Sequence, residues 1–241
     1  METEKDLLAQ EAISTNREVF RLLRNDAQEM INGERKKSAK RRPALPLSYS
    51  DFRELFVAFG TYCLLSRNKN ASFIIDPNNE PTIKQLFYYA THNPLFDGDL
   101  TKGIMLQGKF GCGKTILLET YSLIHNHIAG KCGLNFPLLT FIKSMELQER
   151  IVRESTKPFL LRPMIIDEFG REPKTVQYFG NILRPVSELL SERSDMGAIT
   201  HGTTNFTLKT LSSDEFYGGM IGDRLRMMFN FITLKGDSRR K

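Results

Sequence analysis

Cysteine occurs only three times in the 241 residues and histidine four times, and long apolar runs are missing. Cys63, Cys112 and Cys132 cannot all pair, and Cys112 lies in a glycine-rich loop that a disulfide would distort. They read as reduced thiols of a reducing compartment. His92, His125, His127 and His201 are scattered, with the thiols far off in sequence, which argues against a zinc-type cluster. The longest apolar stretch, Leu55 to Leu65, is interrupted by Gly60 and Thr61 and is too short to span a bilayer. The opening Met1-Glu2-Thr3-Glu4-Lys5-Asp6 is charged in both signs, with no apolar signal core behind it. A cytoplasmic chain with no membrane partner is expected. There are no internal repeats.

What remains is ordinary for a soluble globular protein: 40% hydrophobic and 26% charged residues, enough for one sizeable core with a smaller appendage. The net charge of +6 suits a polyanionic partner without requiring one.

The informative stretch is Gly108-Lys109-Phe110-Gly111-Cys112-Gly113-Lys114-Thr115, a match to G-x-x-x-x-G-K-[ST]. It sits between the apolar Ile104-Met105-Leu106 and a helical pattern that begins at Ile116. A strand, a glycine-rich turn and a helix in that order are what phosphate binding needs. The glycines let successive N–H groups converge on one spot, and the helix N-terminus adds partial positive charge there. The nine residues from Gly108 to Ile116 are thus expected to cradle a nucleotide polyphosphate. Lys114 would reach the β- and γ-phosphates, and the Thr115 hydroxyl would be one ligand of Mg2+.

A second motif follows Pro163: Met164-Ile165-Ile166-Asp167-Glu168-Phe169-Gly170. An apolar run reads as a buried parallel strand, whose carboxyl end is where an α/β sheet holds ligands. Asp167 would hold the metal, and Glu168 would polarise an attacking water, so the pair points to hydrolysis of ATP. At the end of the next expected strand, Ala198 to Asn205, the Asn205 amide both donates and accepts and would touch the γ-phosphate and the water. Arg224, on a later helix, would either complete the site of a neighbouring subunit or form a surface salt bridge with Asp223 or Glu215. The reading requires the ends of the first and third strands to lie side by side, with Asp167 within metal-sharing reach of Thr115.

Around these motifs, apolar residues from Leu8 to Ile31 at helical spacing predict an amphipathic helix over residues 4–31, ended by Gly33. It is either a docking helix for a partner or a helix packed on its own core. Residues 34–42 carry six cations and one anion, which suits a solvated linker or a salt-sensitive contact with phosphates. Asp51 is expected to cap one helix and Thr82 another, with residues 74–83 as candidates for an adenine pocket. Residues 174–193 are expected to be helical, kinked or split at Pro185, and Met220 to Phe229 forms a further helix. The division is residues 1–45 as helix plus basic linker, then a nucleotide domain over 46–241, with a helical lead-in over 46–100 and a core over 101–241. Strands alternating with helices imply an α/β fold with a parallel sheet covered on both faces.

The order of phosphate loop, Ile-Ile-Asp-Glu-Phe-Gly, Thr203-Thr204-Asn205, Gly222-Asp223-Arg224-Leu225-Arg226 and Gly236-Asp237-Ser238-Arg239-Arg240 resembles the DnaC-type bacterial helicase loaders. These are grouped with the transposition ATPase IstB in one branch of the AAA+ proteins. The resemblance runs from about Thr82 to Arg240 and implies an AAA+/ASCE-type P-loop fold. By it, Lys114 and Thr115 are the Walker A pair, Asp167 and Glu168 are Walker B, Asn205 is sensor 1 and Arg224 is the arginine finger. The tail pattern Gly-x-Ser-x-Arg falls on Arg240, with Arg239 as the fallback, for contact with nucleotide. Residues 235–241 leave no room for the usual helical lid, in agreement with that branch. The family implies an ATP-dependent homo-oligomer with shared active sites that grips single-stranded DNA and delivers a replicative helicase to it. The alternative is an IstB-like regulator of transposition. A small-molecule phosphotransferase fits less well, having no use for Glu168 as a water activator.

Overall fold

The computed structural model describes residues 17–33, 44–133 and 137–239. It falls into two units, Met1–Pro43 and Ala44–Lys241. In the first, residues 17–33 form a helix, α1. The remainder of the expected amphipathic helix, residues 4–16, and the basic run over 34–42 lie outside the described residues.

The second unit contains strands β1 (Gly103–Gln107), β2 (Thr140–Lys143), β3 (Met164–Phe169), β4 (Val176–Tyr178), β5 (Asn181–Leu183), β6 (Thr200–Thr204) and β7 (Phe229–Thr233). Its helices are α2 (Tyr49–Leu65), α3 (Glu80–Ala90), α4 (Lys114–Lys131), α5 (Ser144–Glu154), α6 (Pro185–Asp195), α7 (Leu208–Leu211) and α8 (Gly219–Met228). Five strands form one parallel sheet in the order β2-β3-β6-β1-β7.

The alternation of side chains along a strand decides which helices cover which face. Ile104 and Leu106 of β1 and Ile165 of β3 pack with Phe52 and Phe56 of α2, Ile83 and Leu86 of α3, and Leu117 and Leu118 of α4. Met105 of β1 and Met164 and Ile166 of β3 pack on the other face with Leu147 of α5, Leu189 of α6 and Leu225 of α8. Each such side chain contributes about 1.5–3 kcal/mol relative to exposure. Strands covered on both faces are apolar throughout, as the runs at 104–106 and 164–166 required.

The ends of β1 and β3 are not adjacent as expected, because β6 lies between them and pairs with both. The chain leaves β1, crosses to the edge strand β2, and returns through β3 and β6. The ligand-holding ends of β1, β6 and β3 therefore stand in a row.

Three local expectations are corrected. The segment at 174–184 is a hairpin, not helix: β4 pairs antiparallel with β5 across Phe179 (φ 45°) and Gly180 (φ 79°). Positive φ at both central residues matches the right-handed strand twist. Helix α6 starts at Pro185, whose ring suits a first helical turn and disfavours helical backbone before it. Helix α2 is capped by Ser48 and not Asp51: the Ser48 hydroxyl accepts the Asp51 N–H at 3.1 Å and donates to its carboxylate at 2.6 Å. Helix α3 begins at Glu80 with Asn79 before it, leaving Thr82 buried in the first turn.

Candidate nucleotide site

The phosphate loop runs from the end of β1 into α4, whose first residue is Lys114. Gly113 precedes it at φ 108°, a conformation that a Cβ would strain. Lys114 is 6% exposed, and its Nζ donates to the carbonyls of Gly108 and Lys109, each at 2.8 Å, and to Asn205 Oδ1 at 2.7 Å. The side chains expected from the ends of β1 and β6 are thus in direct contact.

Asp167, 1% exposed, receives two hydroxyls on one oxygen: Thr115 Oγ1 donates to Oδ1 at 2.9 Å and Thr203 Oγ1 at 2.6 Å. Burial pushes the Asp167 carboxyl above its ordinary range, and the two hydroxyl bonds work against that shift. A buried carboxylate beside a threonine hydroxyl is an oxygen donor set of the kind Mg2+ uses when substrate phosphates complete its shell. The residues present therefore fit the ion.

Glu168 sits in a bulge where the β3–β6 register slips, at φ 63°. Its N–H donates to Thr203 Oγ1 at 2.9 Å, and its carbonyl accepts from Ser144 Oγ at 3.0 Å. Its carboxylate pairs with Arg171 at 2.5 Å. Thr203 thus positions both acids, a role that the reading of Thr203-Thr204-Asn205 in sequence, which singled out the asparagine for the γ-phosphate and the water, did not find.

A cavity of about 540 Å³ opens here, within the range of small-ligand pockets. Phe110, Gly111, Cys112, Gly113, Lys114, Thr115 and Ile116 line it, and so do Asp167, Glu168 and Asn205. Gly108 and Lys109, at the start of the loop, are not among the lining residues, and their carbonyls hold Lys114. Leu64, Ala71, Phe73, Ile74 and Asn79 also line the cavity, so of the residues 74–83 expected around the base, Ile74 and Asn79 face it. The Asn79 amide is engaged locally: Nδ2 donates to the Ile74 carbonyl and Oδ1 accepts from the Asp76 N–H, both at 2.9 Å.

The tail crosses the phosphate loop. The Arg239 N–H donates to the Gly111 carbonyl at 2.9 Å, and its guanidinium, which lines the cavity, grips Asp76 at 2.7 and 3.0 Å. That hydrogen bond from Arg239 is the main cause holding the Asp76 carboxyl below its usual range. Arg240 lies outside the described residues; of the two tail arginines the one described, lining the cavity, is the fallback, Arg239. Positive charge beside the two acids comes from Lys143, which acts on Asp167, and from Arg171, which pairs with Glu168.

Arg224 is not at this site. It extends from α8 to α6, where it donates to the Ser191 carbonyl at 3.3 Å and pairs with Asp195, not with Asp223 or Glu215.

The sheet order, the loop at the end of β1 and the acids at the end of β3 define a P-loop protein of the AAA+ fold. More particularly the fold is DnaC-like. The chain is similar to the crystal structure of DnaI (TM-score 0.51, 20% identity), covering 85% of this chain and 100% of that one. It is also similar to a protein described as a primosome component from Streptococcus pyogenes serotype M3 (TM-score 0.52, 16% identity; 84% and 97% covered) and to the DnaC helicase loader (TM-score 0.50, 18% identity; 68% and 93% covered). No protein-family model matches the chain and no curated protein matches it.

Proposed function

We propose that this chain binds and hydrolyses ATP with Mg2+ and acts as a loader that delivers a replicative helicase to single-stranded DNA. The observation that carries the reading is the meeting of Thr115, Asp167 and Thr203 hydrogen-bonded within 2.9 Å, with Glu168 next along. Thr115 and Asp167 would hold the magnesium ion. When bound, it neutralises charge on the β- and γ-phosphate oxygens.

The remaining roles belong to the chain's own side chains. Lys114 exchanges its loop carbonyls for phosphate oxygens. Glu168 takes the proton of the attacking water, and Asn205, already bonded to Lys114, orients that water against the γ-phosphate. Arg239 is close enough to the cavity to move from Asp76 to the polyphosphate, as an alternative charge partner. Arg224 would serve a neighbouring copy in a homo-oligomer, and the Met1–Pro43 unit would dock the helicase.

The similar solved structures are named as a helicase loader, DnaI and a primosome component, which favours loading over transposition. On the hairpin, Phe179 is 88% exposed next to Tyr178, a surface on which unpaired bases could stack.

Two measurements test the reading. Glu168→Gln should bind nucleotide as the wild type does and lose turnover by about 100-fold or more; full hydrolysis in that variant removes Glu168 from its role. Helicase capture should be lost on truncation at Pro43, and capture that survives truncation moves docking elsewhere.

A further inference from the structure

The turn that carries Glu168 is held in a way the reaction scheme above does not use. Glu168 lies in the left-handed region, at φ 63°, which strains a non-glycine residue and persists only where the surroundings over-determine it. Thr203 and Ser144 hold Glu168 itself, and Thr204 Oγ1 donates to the carbonyl of Phe169 at 3.0 Å. The next residue, Gly170, has its N–H held by two acceptors at once, Tyr217 Oη at 3.0 Å and Glu172 Oε2 at 3.1 Å.

Those two acceptors are joined, because the Tyr217 hydroxyl donates to the other oxygen of Glu172. Both residues are 8% exposed, and burial pushes both groups above their ordinary ranges. A single acceptor would satisfy one amide, and a phenylalanine beside a leucine would pack here without any desolvation cost. The Tyr217 ring already meets the Phe169 ring edge-on at 6.3 Å, so its hydroxyl adds nothing to that contact. What the hydroxyl and the carboxylate do add is a fixed direction for the Gly170 amide, two residues beyond Glu168.

We infer that Tyr217 and Glu172 are positioning residues for hydrolysis: they clamp the Gly170 amide and so hold the strained turn that presents Glu168 to the nucleotide cavity. The inference rests on Glu168 being the group that activates water. Tyr217 lies two residues before α8, the helix that carries Arg224, so the clamp ties the acid's turn to the segment leading into that helix.

Tyr217→Phe tests it. We expect kcat for ATP to fall about 10-fold, since small misplacements of a reacting group cost up to about 100-fold. KM and nucleotide Kd should stay within about two-fold, because binding does not use the clamp. Hydrogen exchange of the Gly170 amide should quicken. In the Glu168→Gln background the same substitution should change the residual rate by less than about two-fold, since its effect passes through Glu168. Glu172→Gln, which keeps one acceptor, should show the same pattern at smaller size and stands in if Tyr217→Phe folds poorly.

An unchanged kcat, a loss carried by KM, or losses that multiply in the double variant would overturn the inference. Turnover that depends on Glu168 and not on Tyr217 overturns it alone. A wild-type chain with no ATP hydrolysis, or a fully active Glu168→Gln, overturns the ATPase reading, and the clamp with it.

Discussion

Replacing the buried acid Asp167 with asparagine should stabilise the nucleotide-free chain while disabling it. Asp167 is 1% exposed and carries a charge whose main compensation is two hydroxyl hydrogen bonds on one oxygen. The amide introduced by Asp167→Asn keeps an oxygen for both hydroxyls and removes the charge, relieving a burial penalty of about 1–3 kcal/mol. For a domain of this size each kcal/mol moves the melting point by about 2–4 °C, so Asp167→Asn should melt about 2–12 °C higher in chelator at about pH 8.

The pH dependence has a definite sign. The folded-state pKa of Asp167 is raised, so between the unfolded and folded pKa values the native chain binds more protons than the unfolded one. Its stability therefore falls as pH rises through that interval, and the penalty is fully present above it. The advantage of the variant should shrink as the pH is lowered from about 8 into that interval. With magnesium and ATP at about 100 times Kd the order should reverse, since the wild type gains about 2.7 kcal/mol from ligand and the variant lacks a metal ligand. Thermal unfolding over this pH range, with and without Mg-ATP, measures all of this. A variant no more stable than wild type in chelator, or an advantage that grows on acidification, refutes the reasoning.

Arg224→Ala should bind ATP normally and hydrolyse it at least about 10-fold more slowly, and adding a Lys114→Ala chain with its own arginine intact should restore part of the rate. If mixing restores nothing, Arg224 does not act between subunits. Arg193 is fully buried, and its guanidinium donates to the carbonyls of Phe159, Leu160, Arg162 and Ile199 and to the Thr200 hydroxyl. Arg193→Met orphans these acceptors and should cost at least about 3 kcal/mol in urea unfolding; a loss below about 1 kcal/mol would contradict that. Burial pushes the Cys63 thiol up to about 11, while Cys132 is exposed. Maleimide at neutral pH should label Cys132 in the folded chain and leave Cys63 untouched until urea is added, and equal labelling would contradict the burial.

Which parts of this are legible in the sequence follows from the range of the forces involved. The phosphate loop, the strand ending in Asp167-Glu168 and Asn205 are readable because each is a local pattern whose residue types are demanded by the chemistry: glycines where the backbone must curl, acids where a buried strand ends. The hairpin at 174–184 reads as helix because apolar periodicity alone does not distinguish a short hairpin from a helical turn when the turn residues are Phe-Gly. Ser48 is hidden as the α2 cap because the serine and the acid differ by only three positions and either could cap.

From the chain alone came a parallel α/β sheet with a phosphate-binding loop and two acids near it, since strand burial and loop geometry are written in neighbouring residues. Only the tertiary structure decided that β6 lies between β3, which ends in the two acids, and β1, which leads into the phosphate loop, that Thr203 bridges both acids, that Arg239 pairs with Asp76, and that Arg224 sits with Asp195 away from the site. Those contacts join residues dozens to more than a hundred positions apart, and their partners are chosen by strand order and packing, which no local pattern encodes.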